Sequence, residues 1–381
     1  MIENKTYFLK GSDENTGKIL KNLKDKDVYA YLNELTNNFK DLYKKLDISY
    51  DQFIQTSDKE KHWPGAVAMW NKMVEMGDIY KAKYSGLYCI GHEAFLTEKE
   101  LIDGKCPEHL TVPEKVEEEN YFFRLSKYTK QIKEKIESDE LQIIPQSRKN
   151  EILALLERGL EDVSFSRPIK NVPHGIPVPN DPEQVIYVWC DALVNYISAL
   201  GYGRTERKLF EEFWPANVHV IGKDILRFHS AIWPAMLLSS GIELPKSILV
   251  HGFITSEGHK MSKSLGNVID PLELISEYGK DAVRYYLARE LSLFEDSDLT
   301  RQKFKDAYNA NLANGLGNLV SRIMKMAEDN LESPIEVAES EDMSKYFVFL
   351  DNFEINKLLI IFGQKLEKWI WIYKTKSHLS W

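Results

Sequence analysis

The sequence predicts an α/β protein: a doubly wound parallel sheet carrying a zinc-binding insertion and followed by an α-helical bundle domain. Three observations predict it. Strand-like runs pass through short turns straight into helical patterns, as in residues 185–189 (VIYVW) before ALVNYISAL and residues 218–222 (VHVIG) before KDILRFHSAIWPAMLL. Strands alternating with helices in this way build parallel sheets. Two Cys-x2-His pairs, Cys89 with His92 and Cys106 with His109, are separated by thirteen residues. Beyond residue 299 the strand patterns stop, and apolar residues recur at every third or fourth position.

Size and composition bound the reading. A chain of 381 residues is too long for one ordinary core, so about two to four domains are expected. With 43% hydrophobic and 28% charged residues it belongs to the globular class, not the disordered one. No apolar run reaches the ~18 residues of a membrane span. The start, MIENKTYFLKGSDEN, lacks the basic and apolar regions of a secretory leader, so the cytoplasm is the expected compartment. Three cysteines cannot make a disulfide framework. A net charge of −9 argues against indiscriminate nucleic-acid binding, and no DNA partner is expected. An RNA partner would need local basic surfaces.

Taken in order, residues 6–9 (TYFL) read as a short strand that delivers Asp13 just past its end. A carboxylate there is placed either to contact a ligand or to cap a helix. Val28, Leu32, Leu35, Phe39, Leu42 and Leu46 form one stripe on a long amphipathic helix. Residues 53–58 (FIQTSD) read as strand and loop, and a further helix starts near Pro64. The paired knuckles come next, with Cys89, His92, Cys106 and His109 as four ligands for one tetrahedral, structural zinc. Helical stretches near residues 125–138 and 148–160 complete the insertion, their charges read as solvated faces.

Ser166-Arg167-Pro168 opens a Pro- and Gly-rich passage. The β-prone run 185–189 then brings Trp189, Asp191 and Ala192 to a helix start, with Tyr196 one turn beyond Ala192. An aromatic wall over a small floor suits an unbranched, sulfur-containing side chain; an ordinary aromatic core is the other reading. In the next strand–turn–helix unit, Gly222, Lys223 and Asp224 occupy the turn. Ile225, Phe228 and His229 succeed it at i, i+3 and i+4, so one helix face can present all three.

Residues 260–264 read KMSKS, with Gly258 before and Gly266 after. Two lysines and two hydroxyls on a glycine-flanked loop can close over a polyphosphate and neutralise charge on a departing pyrophosphate. The strand-like SILVHGFIT leads in, and GNVIDP provides a turn and a helix start. This is the chain's most specific motif.

These residues resemble the second signature of class I aminoacyl-tRNA synthetases. Together with GSDEN, the knuckles, NYFFRLSKY, GIPVPNDP, IYVWCDALVNYISAL, IGKDILRFHSAIWPAML and GNLVSR, the chain resembles the methionyl-tRNA synthetase family over nearly its whole length. The resemblance implies a Rossmann-like catalytic domain, and it implies methionine, ATP with magnesium, and tRNA(Met) as ligands. It further implies that the chain forms methionyl-adenylate and passes methionine to the tRNA 3′ end. By the motifs, Asp13 would hold the substrate ammonium. Trp189, Ala192, Tyr196, Ile225, Phe228 and His229 would line the methionine pocket. Gly222, Arg167 and Asp224 would organise ATP, with Lys260 and Lys263 on the pyrophosphate. Asn318 and Arg322 would read the anticodon, and Trp381 is the counterpart of an anticodon-stacking tryptophan.

The implied division is residues 1–80 and 166–245 for the two halves of the catalytic domain. Residues 81–165 form the insertion, 246–298 the stem-contact region and 299–381 the anticodon-binding helices. The family's HIGH signature should precede Tyr7, so an N-terminally shortened enzyme is expected. Residues 89–92 (CIGH) imitate that signature, but the metal spacing already accounts for them. His174 stands where the family often has tryptophan. A non-catalytic tRNA-binding remnant and a sister synthetase for another apolar amino acid are the alternatives.

Overall fold

A computed structural model describes residues 5–23, 25–89, 94–96, 101–107, 111–262, 266–333 and 344–376. It forms two compact units, Met1–Asp41 with Ser49–Val250, and Leu42–Ile48 with His251–Trp381.

In the first unit, β1 (Leu9–Ser12) pairs in parallel with β2 (Gln52–Gln55), Leu9 facing Gln52 and Ser12 facing Gln55. The strand therefore starts where the TYFL reading ended it. Before Leu9 the Asp51 carboxylate, not a strand neighbour, accepts the Phe8 N–H at 2.6 Å. Gly11 is required because a Cβ there would lie 2.8 Å from the Ile54 carbonyl oxygen. The Thr16 hydroxyl caps α1 (Gly17–Asn22) by accepting from Lys18 N. Helix α2 (Val28–Lys45) buries Leu32 and Thr36 but leaves Phe39 49% exposed, so the apolar stripe is covered only in part. With Pro64 in its first turn, α3 (Trp63–Glu75) sinks Ala66, Met69, Trp70 and Met73 into the core.

An antiparallel sheet comes next, in which β3 (Ile79–Cys89) pairs with β4 (Ala94–Leu96) and with β5 (Glu114–Phe123). Then come α4 (Thr129–Glu137), β6 (Gln142–Ile144), α5 (Gln146–Glu157) and β7 (Val163–Ser164), which returns to β5. Strand β6 was not anticipated. The apolar faces of α4 and α5, through Ile132, Ile136, Ile152 and Leu156, share one core with Met69, Trp70 and Trp233.

Antiparallel pairing continues through β8 (Ser166–Pro168), β9 (Pro177–Val178) and β10 (Asp181–Ile186). The β-prone run ends earlier than expected, because α6 (Val188–Ala192) begins before Trp189. Tyr187 N–H donates to Phe165 O at 2.8 Å, and Asp191 N–H closes the first helical turn on Tyr187 O at 3.0 Å. After α7 (Asn195–Ser198) and α8 (Lys208–Phe213), β11 (His219–Gly222) leads through a 3-10 turn and a π-helical turn, Phe228–Ile232, into α9 (Trp233–Ser239). Strand β12 (Ser247–His251) lies between β11 and β6, parallel to β6. Within this unit the described parallel pairs, β1–β2 and β6–β12, belong to two separate sheets rather than to one continuous sheet.

The second unit pairs β13 (Ile254–Ser256) with β14 (His259–Lys260). Asp270 caps α10 (Pro271–Tyr278), with Pro271 in its first turn, as the GNVIDP segment predicts. Next are α11 (Lys280–Arg289), β15 (Ser297–Asp298) beside β13, and α12 (Arg301–Ala307). A π-helical stretch, Tyr308–Gly317, joins α12 to α13 (Asn318–Asn330), and α14 (Ser344–Asp351) and α15 (Ile355–Lys376) complete the unit. Its core gathers Leu46, Leu274, Val283, Tyr286 and Phe304. No helix among the described residues is long and apolar enough to cross a membrane.

Candidate active site

The aromatic pocket is built from two helix starts. Trp189, in the first turn of α6, stacks on Phe228 with ring centroids 3.9 Å apart and planes 13° apart. His229 meets the Trp189 edge at 6.3 Å. The π-helical turn aims His229 Nδ1 at Ile225 O, 3.0 Å away, and Nε2 at the Tyr196 hydroxyl, 2.8 Å away. A carbonyl only accepts, so Nδ1 carries the hydrogen, Nε2 accepts, and Tyr196 donates. Ala192 is buried one turn after Trp189. Five of the six expected pocket residues are joined by direct contacts, and Ala192 shares the Trp189 helix.

Burial holds this cluster neutral. It pushes His229 down to about 4, against smaller opposing effects from the Ile225 carbonyl and Asp224, and it pushes the Tyr196 hydroxyl up. Uncharged, polarisable side chains of this kind favour contact with a thioether over any charged side chain.

His219 was missed. Its ring stands edge-on to Tyr196 at 4.0 Å and 6.5 Å from His229, and burial with the neighbouring His229 pushes it down to about 3. Strand alternation could have found it: His219 and Ile221 are buried, whereas Val220 is 57% exposed.

Asp13 comes directly after β1 and faces solvent. Its neighbour Glu14 is 3% exposed and accepts from Ser12 Oγ at 2.5 Å, Thr36 Oγ1 at 2.8 Å and Gln55 Nε2 at 3.2 Å, and also from Ser57 Oγ. His174 Nε2 reaches Glu14 O at 3.1 Å, so this histidine braces the same loop. Pattern reading passed over Glu14, Asn15 and His62, because their partners are remote in sequence.

Arg167, on β8, is buried; Nη1 donates to Ser166 O at 2.7 Å and Ser164 Oγ at 2.8 Å, and the guanidinium lies 4.4 Å over the Tyr187 ring. A narrow cleft runs past it, lined by Asn15, Thr16, Tyr88 and Tyr187. Gly222 ends β11, and Asp224 is exposed in the turn after it.

In the second unit, Lys260 lies on β14 rather than in a free loop, with Nζ 4.8 Å from the Phe253 ring. Glu257 and Gly258, at φ 55° and 75°, form the two-residue turn between β13 and β14, where both positions need positive φ. Asn267 ties the chain beyond Met261 back to this hairpin: Oδ1 accepts from Ser262 N at 2.9 Å, and Nδ2 donates to Ser256 O at 3.2 Å. Lys263 lies outside the described residues. Asn318 and Arg322 lie one turn apart on α13, both exposed, and Trp381 lies outside the described residues.

Cys89 and Cys106 are 1% and 0% exposed and share one small cluster with Leu96. Asp103 and Gly104, at φ 50° and 72°, make the tight turn that presents Cys106. Two thiols drawn together from separate strands and turns fit a thiolate metal site. The other expected ligands, His92 and His109, lie outside the described residues. Among the described residues no group of three or more potential metal ligands gathers.

The family described as "tRNA synthetases class I (M)" matches residues 1–113 and 109–324. A methionine–tRNA ligase of Caldanaerobacter subterraneus subsp. tengcongensis is 42% identical over 375 residues, 98% of this chain and 57% of that protein. One from Clostridium tetani is 47% identical over 324 residues, 84% of this chain and 50% of that protein. The chain spans about half the length of the curated relatives it matches. The structure of Mycobacterium tuberculosis methionyl-tRNA synthetase in complex with methionyl-adenylate superposes with a TM-score of 0.91 at 35% identity, covering 98% of this chain and 77% of that one. The fold is therefore the Rossmann-like α/β fold of class I synthetases with added helices. By family match, sequence identity and fold, the chain belongs to the methionyl-tRNA synthetases of class I.

Proposed function

We propose that this chain carries the ATP-dependent activation of methionine and its transfer to tRNA(Met). The observation that carries the reading is the neutral cluster in which the Tyr196–His229 hydrogen bond and the Trp189–Phe228 stack are packed together. The unbranched thioether enters between them, with Ala192 and Ile225 setting its width. Asp13 pairs with the substrate ammonium, which leaves the carboxylate directed at ATP. One carboxylate oxygen attacks the α-phosphorus, the bond to the bridging oxygen breaks, and pyrophosphate leaves. Lys260 and Lys263 take up the charge that develops on it, with magnesium supporting the ATP phosphates. Arg167, Gly222 and Asp224 hold the nucleotide. The tRNA 3′-terminal hydroxyl then attacks the methionyl carbonyl and releases AMP. Asn318, Arg322 and Trp381 read the anticodon, and the cytoplasm is the working compartment.

Zinc, when bound by Cys89, His92, Cys106 and His109, ties the two knuckles of the insertion together. Metal analysis of freshly purified protein is expected to find one equivalent of zinc, and far less would remove this assignment.

Methionine-dependent exchange of pyrophosphate into ATP tests the main reading. Exchange with methionine and background rates with leucine, isoleucine and valine are expected. Background exchange with methionine, alongside intact tRNA binding, would instead identify a tRNA-binding remnant.

A further inference from the structure

Asp13 and the tryptophan helix are distant in sequence, yet a buried chain of side chains connects them. Asn15, two residues after Asp13, is 2% exposed and donates through Nδ2 to Thr56 O at 2.9 Å and to Asp191 Oδ2 at 3.0 Å. Two acceptors on one side settle which amide atom is the nitrogen. Asp191 is fully buried, lies between Trp189 and Ala192 on α6, and touches His62 Nε2 through Oδ1 at 3.3 Å. His62 Nδ1 in turn meets Ser198 Oγ on α7 at 2.8 Å. The relay therefore runs from the β1 loop, through α6, to the start of α3 and to α7.

We propose that the Asn15–Asp191–His62–Ser198 relay is a positioning device that sets where the Asp13 carboxylate stands relative to the aromatic pocket. The proposal rests on the methionine reading above. A side chain of fixed length with an ammonium at its other end needs both grips at one separation. Charge-assisted hydrogen bonds lose strength within a few tenths of an ångström of misplacement. A loop carrying an exposed carboxylate does not hold such a separation alone. Glu14 anchors this loop to β2 and α2, and the Asn15–Asp191 bond joins it to the helix that carries Trp189 and Ala192. Burial raises the Asp191 carboxyl, with the Glu14 charge adding to it and the Asn15 bond opposing it, and burial also lowers His62 to about 4.

The test uses the full chain, equilibrium binding of L-methionine, and binding of 4-(methylthio)butanoate, which has the thioether and carboxylate but no ammonium. In Asn15→Ala and Asp191→Ala the L-methionine Kd is expected to rise about tenfold, as for loss of a hydrogen bond to a charged group. The desamino compound, which does not use Asp13, is expected to stay within about twofold. Asp191→Asn keeps an acceptor toward Asn15 and is expected to retain near-parental methionine affinity; Asn15→Ser replaces Asn15→Ala if that variant does not fold. Equal weakening of both compounds, or of neither, overturns the proposal, because a merely structural role moves both alike. If the parental chain binds neither compound, the methionine reading fails instead. The relay is then judged by ligand-free hydrogen exchange at the Asp191 amide, which Asn15→Ala must accelerate; unchanged exchange overturns the relay as well.

Discussion

Tyr196 and His229 show how one hydrogen bond can fix the tautomer of a buried ring. Because Nδ1 is committed to Ile225 O, the Tyr196 hydroxyl is the donor to Nε2. Tyr196→Phe leaves a buried acceptor without that donor, which costs about 1–3 kcal/mol. Urea unfolding at pH 7 is expected to show a loss of that size, together with weaker methionine binding; unchanged stability would mean Nε2 is not dry. Ile225, Phe228 and His229 could be read from helical spacing alone. Asn15 could not, since nothing adjacent in sequence reveals what it touches. The Asn15–Asp191 pair is separated by 176 positions.

At the level of elements, two contacts are sensitive to single atoms. Helix α3 meets α7 at Gly65, where a Cβ would lie 2.6 Å from Ser198 Cβ and 3.0 Å from Tyr202 O. Gly65→Ala is expected to force these elements apart and to cost about 1–3 kcal/mol, the usual range for overpacking. Thermal unfolding checks this, and a parental Tm would refute it. In the β13–β14 hairpin, Asn267→Ala removes the acceptor for Ser262 N–H and the donor to Ser256 O. Exchange of the Ser262 amide should quicken, and pyrophosphate exchange should fall while methionine binding holds. Equal loss of both would place Asn267 in general folding instead. The glycine-flanked motif was legible as a turn, which the positive φ of Gly258 bears out. That its first lysine stands on a strand was not, because a two-residue strand has no periodicity to read.

For the molecule as a whole, buried imidazoles make stability depend on pH. His219 and His229 are held at about 3 and about 4 in the folded state, against ~6.5 when unfolded. Unfolded chains therefore bind protons first as pH falls below ~6.5, and stability is lost between there and ~4, by up to about 1.4 kcal/mol per pH unit for each histidine. Burial lowers His62 to about 4 as well, and the raised Asp191 carboxyl beside it acts with the opposite sign. Urea midpoints should fall between pH 7 and pH 5, and a flat profile would show that these rings are hydrated.

Contiguous residues sufficed for the family, for the helices that follow residue 299 and for the grouping of Ile225, Phe228 and His229. Each depends on neighbours within a turn or two of helix or one loop, and local spacing records such relations faithfully. Folding alone supplied the start of α6 before Trp189, the docking of β6 beside β12 and the relay beneath Asp13. These depend on buried polar groups finding partners, and a chain can satisfy that demand only between segments brought together in three dimensions.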